Sequence, residues 1–269
     1  MQTGTRPLIL VTNDDGIASL GLRAAVRSVW DLGEVFVIAP CLQQSGLGRS
    51  FPNGPASVEE RLLEIDGKQV QAMCMDAAPA KVVRLALVSL MPRLPDLAIS
   101  GINYGENLGS CVTVSGTIGA AIEAATFGIP SIAASLETDA QYHFATNAEV
   151  NFHAAAAFVH RLAKALLSSG MPAGADILKL EVPSDATEKT PWRTTRVSRQ
   201  QYFVSNVSVN AQGKKGVSGY RVEIDHDTLE PDSDIQAVAL DRVVSVSPMS
   251  IDLTAYSAMQ SVTSMLERL

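Results

Sequence analysis

The chain is poor in what it would need to bind a polyanion, cross a membrane or build a thiol site. Lys and Arg number 21 against 28 Asp and Glu in 269 residues, a formal net charge of -7. That balance argues against binding to nucleic-acid polymers, which depends on many basic side chains neutralising phosphates. No unbroken apolar run approaches the roughly 18 residues of a membrane helix. The polar segment Met1 to Pro7 leads straight into an apolar run, so neither a signal peptide nor a membrane partner is expected. The three cysteines, Cys41, Cys74 and Cys111, are odd in number, widely spaced and without a CxxC pair. A soluble protein of a reducing cytoplasm fits them best. Internal repeats and low-complexity segments are also missing.

What is present is enough apolar residue, 46%, for one substantial core with a smaller appended lobe. Short apolar runs alternate with helical stretches from Leu8 to about Ser135: Leu8 to Val11, Val35 to Ala39, Leu97 to Ile99 and Ile132 to Ala134. Each is too short for a helix and is bounded by Gly, Pro or Asp, the pattern of a parallel sheet covered on both faces. The spacing predicts helices over Leu20 to Trp30, from Pro79 to Leu90, over Ser115 to Phe127 and over Ala148 to Leu167. Asp66-Gly67 marks a hairpin within Val58 to Met75. The expected fold is a Rossmann-like, three-layer α/β core over residues 1–182. A polar, extended hairpin arm follows over 183–233, then a returning strand from Asp234 to Val246 and an amphipathic helix from Ala255 to Leu269, closing the unit 234–269.

In open α/β sheets, ligands sit at the carboxyl ends of strands where the chain order reverses. Three such loops carry the informative residues: Asn13-Asp14-Asp15-Gly16, Gln44-Ser45-Gly46 through Arg49, and Ser100-Gly101-Ile102-Asn103 with Asn107-Leu108-Gly109. Adjacent carboxylates repel unless a cation or a proton relieves them. With Ser45 and Asn103, Asp14 and Asp15 form an oxygen-only ligand set that suits Mg²⁺ or Mn²⁺ better than zinc, and none of the four histidines lies in these loops. Ser115-Gly116-Thr117 begins a helix. Its unpaired N–H groups form an anion site, with Gly116 letting a phosphate approach the backbone. Arg49 is a candidate for positive charge near the leaving group.

These stretches resemble the SurE family of metal-dependent 5′/3′-nucleotidases. The resemblance runs in family order through Leu10 to Gly16, Val37 to Gly46, Pro95 to Gly109 and Ser115 to Ser131, and weakens over Asp234 to Thr254. It implies that Asp14, Asp15, Ser45 and Asn103 hold one divalent cation per subunit, with Asp14 and Asp15 also catalytic. Asn107, Ser115, Gly116 and Thr117 would contact the phosphate, and Ser45 and Gly46 are also candidate substrate-binding residues. It further implies a homodimer or tetramer built partly by exchanged C-terminal arms, acting on a nucleoside monophosphate or another small phosphate ester. Three departures bear on substrate preference and turnover more than on metal binding. Ala77 to Val82 replaces a Gly-Thr-Pro-Ala/Thr-Asp-Cys segment, placing Lys81 where the family has an acid. Val114 replaces a Tyr, and Cys41 replaces an Asp.

Two other classes stay open at this level. A dinucleotide-dependent enzyme would carry GxGxxG after the first strand, where Asn13-Asp14-Asp15-Gly16 stands instead. A SurE-like protein that binds metal and phosphate without turnover would keep the loops and release no phosphate.

Overall fold

The computed structural model describes residues 6–143, 150–210 and 212–269. The first strand, Leu8–Thr12 (β1), is buried at every position, as a strand covered on both faces requires. Then come Leu20–Ser28 (α1), Glu34–Pro40 (β2), Val58–Ile65 (β3), Lys68–Met75 (β4), Pro79–Leu85 (α2), Leu97–Tyr104 (β5), Gly116–Ala125 (α3) and Ser131–Leu136 (β6). The second half holds His153–Ser169 (α4), Ile177–Val182 (β7), Trp192–Thr194 (β8), Phe203–Val209 (β9), Lys215–Val222 (β10), Val244–Met249 (β11) and Met259–Leu266 (α5).

Among the described residues, nine strands form one sheet in the order β3-β4-β2-β1-β5-β6-β7-β11-β8, and β9 and β10 form a separate antiparallel hairpin. The run from β4 to β7 is parallel. Alternation along β1 assigns its two faces: Ile9 and Val11 pack with Leu22, Val26, Phe158 and Val159 of α1 and α4, whereas Leu10 packs with Val82, Val83, Ala120 and Ala124 of α2 and α3. Local signals fix the helix starts. The Ser19 hydroxyl accepts from the Leu22 N–H at 3.4 Å and Ser115 from Ile118 at 3.2 Å, while Pro79 occupies the first turn of α2.

The chain leaves β1 for β2 on one side and later returns to β5 on the other. The carboxyl ends of β1 and β5 therefore flank the switch point, where the two outgoing loops part and a crevice opens.

Several expectations need correction. Ser100 to Asn103 is not a loop: β5 runs on to Tyr104, with a register shift against β6 between Ser100 and Asn103 and a cis Gly101–Ile102 peptide. Asp234 to Val246 is not one strand but a π-helical turn, Gln236–Leu240, ahead of β11. Part of the arm joins the core, since β8 pairs with β11 at the sheet edge. The expected start of α4 at Ala148 lies outside the described residues, and the helix begins at His153.

The cysteine reading is corrected as well. Spacing along the chain does not reveal that β2 and β4 are neighbours, with Ala39 opposite Cys74. Cys41, one residue beyond β2, is thereby brought to a Cα–Cα distance of 4.8 Å from Cys74, and the two form a disulfide, leaving Cys111 free. The argument for a reducing compartment loses its footing. Because the bridge spans 33 residues, removing it is expected to destabilise the fold by about 3 to 4 kcal/mol. Thiol titration of the denatured, unreduced chain should find one free thiol, and reduction should lower the urea midpoint; three free thiols would contradict the pairing.

Candidate active site

The end of β1 is closed by a buried asparagine. The Asn13 amide donates to the Gly16 carbonyl at 3.1 Å and its Oδ1 accepts from the Gly16 N–H at 3.2 Å, a side-chain-closed turn. That turn sets Asp14 and Asp15 side by side, 3% and 2% exposed. Asp14 Oδ1 accepts from the Thr117 hydroxyl at 2.5 Å, and the Thr117 backbone N–H at the start of α3 also reaches its carboxylate. Asp15 Oδ2 accepts from the Tyr104 N–H at 3.1 Å and Oδ1 from the Gln43 amide at 3.1 Å.

Burial raises the Asp14 carboxyl above the usual aspartate range, against the pull of Thr117. Asp15 is driven up well above it by burial and then by the charge of Asp14, with Tyr104 and Gln43 opposing. Among the described residues no basic side chain pairs with either carboxylate; the fully buried Lys179 is held by Asp234 at 2.9 Å and Glu181 at 3.4 Å. Two desolvated carboxylates that feel one another's charge, without a cation, form an electrostatically incomplete arrangement. The surroundings supply further oxygens. Ser45 is bridged to Asp15 through Gln43, which lies 2.9 Å from the Ser45 hydroxyl. Asn103 donates its amide N–H groups to the carbonyls of Tyr104 and Gly105 at 3.2 and 2.7 Å, leaving its own carbonyl oxygen for a cation. The residues present fit a hard divalent ion with mixed carboxylate, hydroxyl and amide ligands.

Asp14, Ser45, Gly46, Asn103, Asn107 and Ser115 share the wall of a cavity of about 320 Å³. Asp15 is not on that wall, nor are Gly116 and Thr117. Thr117 is fully buried with its hydroxyl on Asp14, and a Cβ at Gly116 would sit 2.7 Å from Asp14 Oδ2. The space beside Gly116 thus admits the Asp14 carboxylate, and the anion at this helix start is that side chain. Arg49 does not reach the cavity. Its Nε donates to the buried Glu123 at 2.8 Å, beside Arg84 at 2.6 Å, and the pair ties the loop carrying Ser45 to α3. The unexpected Lys81 holds the Pro52 and Gly54 carbonyls at 3.1 and 2.8 Å, away from the cavity, whereas Val114 lines it.

A family model described as Survival protein SurE matches residues 9–204. The chain belongs to the SurE family. Relatives called 5′-nucleotidase SurE include one from Methanothrix thermoacetophila, 43% identical over 96% of this chain and 98% of its own length. Another, from Thermococcus gammatolerans, is 42% identical over 92% of this chain and 91% of its own. The crystal structure of the SurE protein from Aquifex aeolicus superposes with a TM-score of 0.76 at 31% identity, covering 96% of this chain and 99% of that one.

Two parts of this SurE site were invisible in the motifs. Gln43 lies within hydrogen-bond reach of Asp15, Ser45 and, at 2.6 Å, the His143 carbonyl; its one signal was its place beside Ser45. The second is a buried ionic brace beneath the Asn107 loop. Glu181 accepts from the Asn107 N–H at 2.9 Å, Lys179 donates to the Asn107 carbonyl at 3.0 Å, and Asp234 accepts from the Gly109 N–H at 3.1 Å. Ser135 links the Asn107 amide, at 3.0 Å, to Glu181.

Also on the cavity wall, Glu106 is 5% exposed, and burial, aided by the charge of Glu137, pushes its carboxyl up to about 7 from 4.5. A carboxyl harder to ionise in the folded chain leaves stability intact below its unfolded value and removes it as pH rises through the window up to the folded value. Glu106→Gln is expected to abolish this contribution, up to about 3 kcal/mol. Thermal melts should then show the variant losing less stability than wild type between about pH 5 and pH 7; parallel curves would contradict it.

Proposed function

We propose that this SurE-family chain is a divalent-metal-dependent phosphatase that releases inorganic phosphate from nucleoside 5′- or 3′-monophosphates. The observation that carries the reading is the pair of buried carboxylates without a basic partner among the described residues, one of which, Asp14, meets a cavity whose other walls offer hydroxyl and amide groups. The nucleotidase relatives support the substrate class.

Asp14, Asp15, Ser45 and Asn103 would hold Mg²⁺ or Mn²⁺. When bound, such an ion polarises phosphoryl oxygens and offsets the charge of the monoester dianion. The remaining work falls to the chain. The Asn107 amide and the Ser115 hydroxyl stand on the cavity wall, where they can orient the other phosphate oxygens, and phosphoryl transfer asks chiefly for such positioning and charge stabilisation. Asp14 is the carboxylate that meets the cavity, which makes it the candidate to take the proton of an attacking water. Asp15, held by Tyr104 and Gln43, keeps the ligand cluster in register.

Assembly into a dimer or tetramer is supported by the apolar face of α5, on which Met259, Val262, Met265 and Leu266 are all exposed. No helix among the described residues is long and apolar enough to cross a membrane.

Phosphate release from a panel of nucleoside monophosphates, with Mg²⁺ or Mn²⁺ and then with chelator, tests the reading. Turnover should require the metal. Asp14→Asn should lower kcat by at least about a hundredfold, the scale of a lost general base, with no loss of melting temperature in the metal-free protein because the change removes one of two repelling buried charges. Retention of full metal-dependent activity in that variant, or wild-type turnover indifferent to chelator, would contradict it.

A further inference from the structure

The cavity lined by Asp14, Ser45 and Ser115 is also walled by a different chemistry. Phe203 and Tyr220, from the two strands of the β9–β10 hairpin, line it together with His143 and Glu106. None of these four entered the site by motif, and phosphate chemistry uses none of them.

The three rings form a supported surface. The Phe203 and Tyr220 centroids lie 4.9 Å apart in a tilted edge contact, and the His143 ring stacks against Tyr220 at 5.9 Å with 21° between planes. His143 is committed at both nitrogens. It lies 2.5 Å from the Tyr220 hydroxyl through Nδ1 and 3.1 Å from the Thr138 carbonyl through Nε2. Burial also holds its affinity for protons below the usual histidine range. A neutral ring that accepts from Tyr220 and donates to Thr138 satisfies both contacts, so His143 braces Tyr220 and is poorly placed to act as a base. Behind Phe203, the buried Tyr202 packs edge-on at 4.8 Å and belongs to a cluster with Leu108 and Ile235, next to the Asn107 loop. The rings are thus fixed from the same side of the molecule that fixes Asn107.

Glu106 supplies an independent sign of a missing ligand. Its Oε2 is buried without a hydrogen-bond partner among the described residues, while the Tyr202 hydroxyl and the Thr138 backbone reach the same carboxyl group. Burying a polar atom unsatisfied is unfavourable, and such an atom on a cavity wall is a place for a water or a ligand hydroxyl to bind.

We propose that Phe203 and Tyr220 are the stacking platform for the base of the nucleotide and that Glu106 hydrogen-bonds a ribose hydroxyl, so that the hairpin forms the nucleoside subsite of the cavity whose other end holds the phosphate. This deepens the phosphatase reading and rests on it for the identity of the phosphate end. The volume, about 320 Å³, lies at the small end of the range for pockets that bury ligands of this size. Stacking engages the π-face that every base presents, so the platform selects for a nucleoside over a bare sugar phosphate while discriminating weakly among bases.

Calorimetric binding of adenosine 5′-monophosphate, cytidine 5′-monophosphate and ribose 5-phosphate to the full chain tests it, with turnover measured alongside. Phe203→Leu keeps an apolar side chain and removes the π-face. It is expected to reduce the ratio of nucleotide to ribose 5-phosphate affinity by about tenfold for both bases, within the range of a lost base–aromatic stack. Tyr220→Leu carries the same comparison should Phe203→Leu fail to fold. Glu106→Leu should shrink the preference for the ribonucleotide over its 2′,3′-dideoxy analogue. An unchanged ratio in both ring variants, or an equal loss for ribose 5-phosphate, would overturn the platform. Wild type that binds nucleotide with the expected ratio but releases no phosphate would sink the phosphatase reading and leave the subsite standing.

Discussion

Asp14 and Asp15 repel one another in a place where water cannot screen them, 3% and 2% exposed and with no basic side chain paired to either among the described residues. A fold tolerates that only if hydrogen bonds hold both groups in place and a mobile cation or proton completes the charge. Every neighbouring feature can be read as a response to this constraint. Thr117 and the first turn of α3 stabilise one carboxylate, Tyr104 and Gln43 the other, and Gly116 lacks a side chain so that the first can approach.

The sheet topology makes the arrangement possible. Because β1 is flanked by β2 and β5, elements remote in sequence deliver their ends to one crevice: Asp14 and Asp15 from β1, Gln43 and Ser45 after β2, Asn103 from β5. Rigidity comes from beneath. Lys179, Glu181 and Asp234 are fully buried on β7 and ahead of the turn Gln236–Leu240, and they hold backbone groups of the Asn107 loop. Glu123 plays a comparable part for the Ser45 loop by gathering Arg49 and Arg84 against α3. Breaking such a network by removing one partner leaves an uncompensated charge, which makes each brace an all-or-none device.

Much of this was legible because it is local. Asp66-Gly67 closes the β3–β4 hairpin, Pro79 and Ser115 start helices, and the apolar runs at Leu8, Val35, Leu97 and Ile132 are strands, since turn chemistry, caps and periodicity act over a few residues. The family's loops also placed Asp14, Ser45, Asn103, Asn107 and Ser115 on one wall. What escaped is set by strand neighbours far apart in the chain. Cys41 meets Cys74 only because β2 pairs with β4, Lys179 gains its buried partner only when Asp234 arrives from far along the chain, and Arg49 looks like an active-site cation until Glu123 claims it. The roles of Gly116 and Thr117 changed for the same reason, because the group that fills the helix start comes from β1.

The central claim is that the carboxylate pair is completed by one hard divalent ion, and direct binding of Mn²⁺ followed by electron paramagnetic resonance tests it without reference to turnover. One ion per chain should bind to wild type and raise its melting temperature, as any ligand of the native state does, and both effects should vanish in Asp15→Asn. Mn²⁺ binding and thermal stabilisation of equal size in wild type and Asp15→Asn, or no binding to wild type at all, would contradict it.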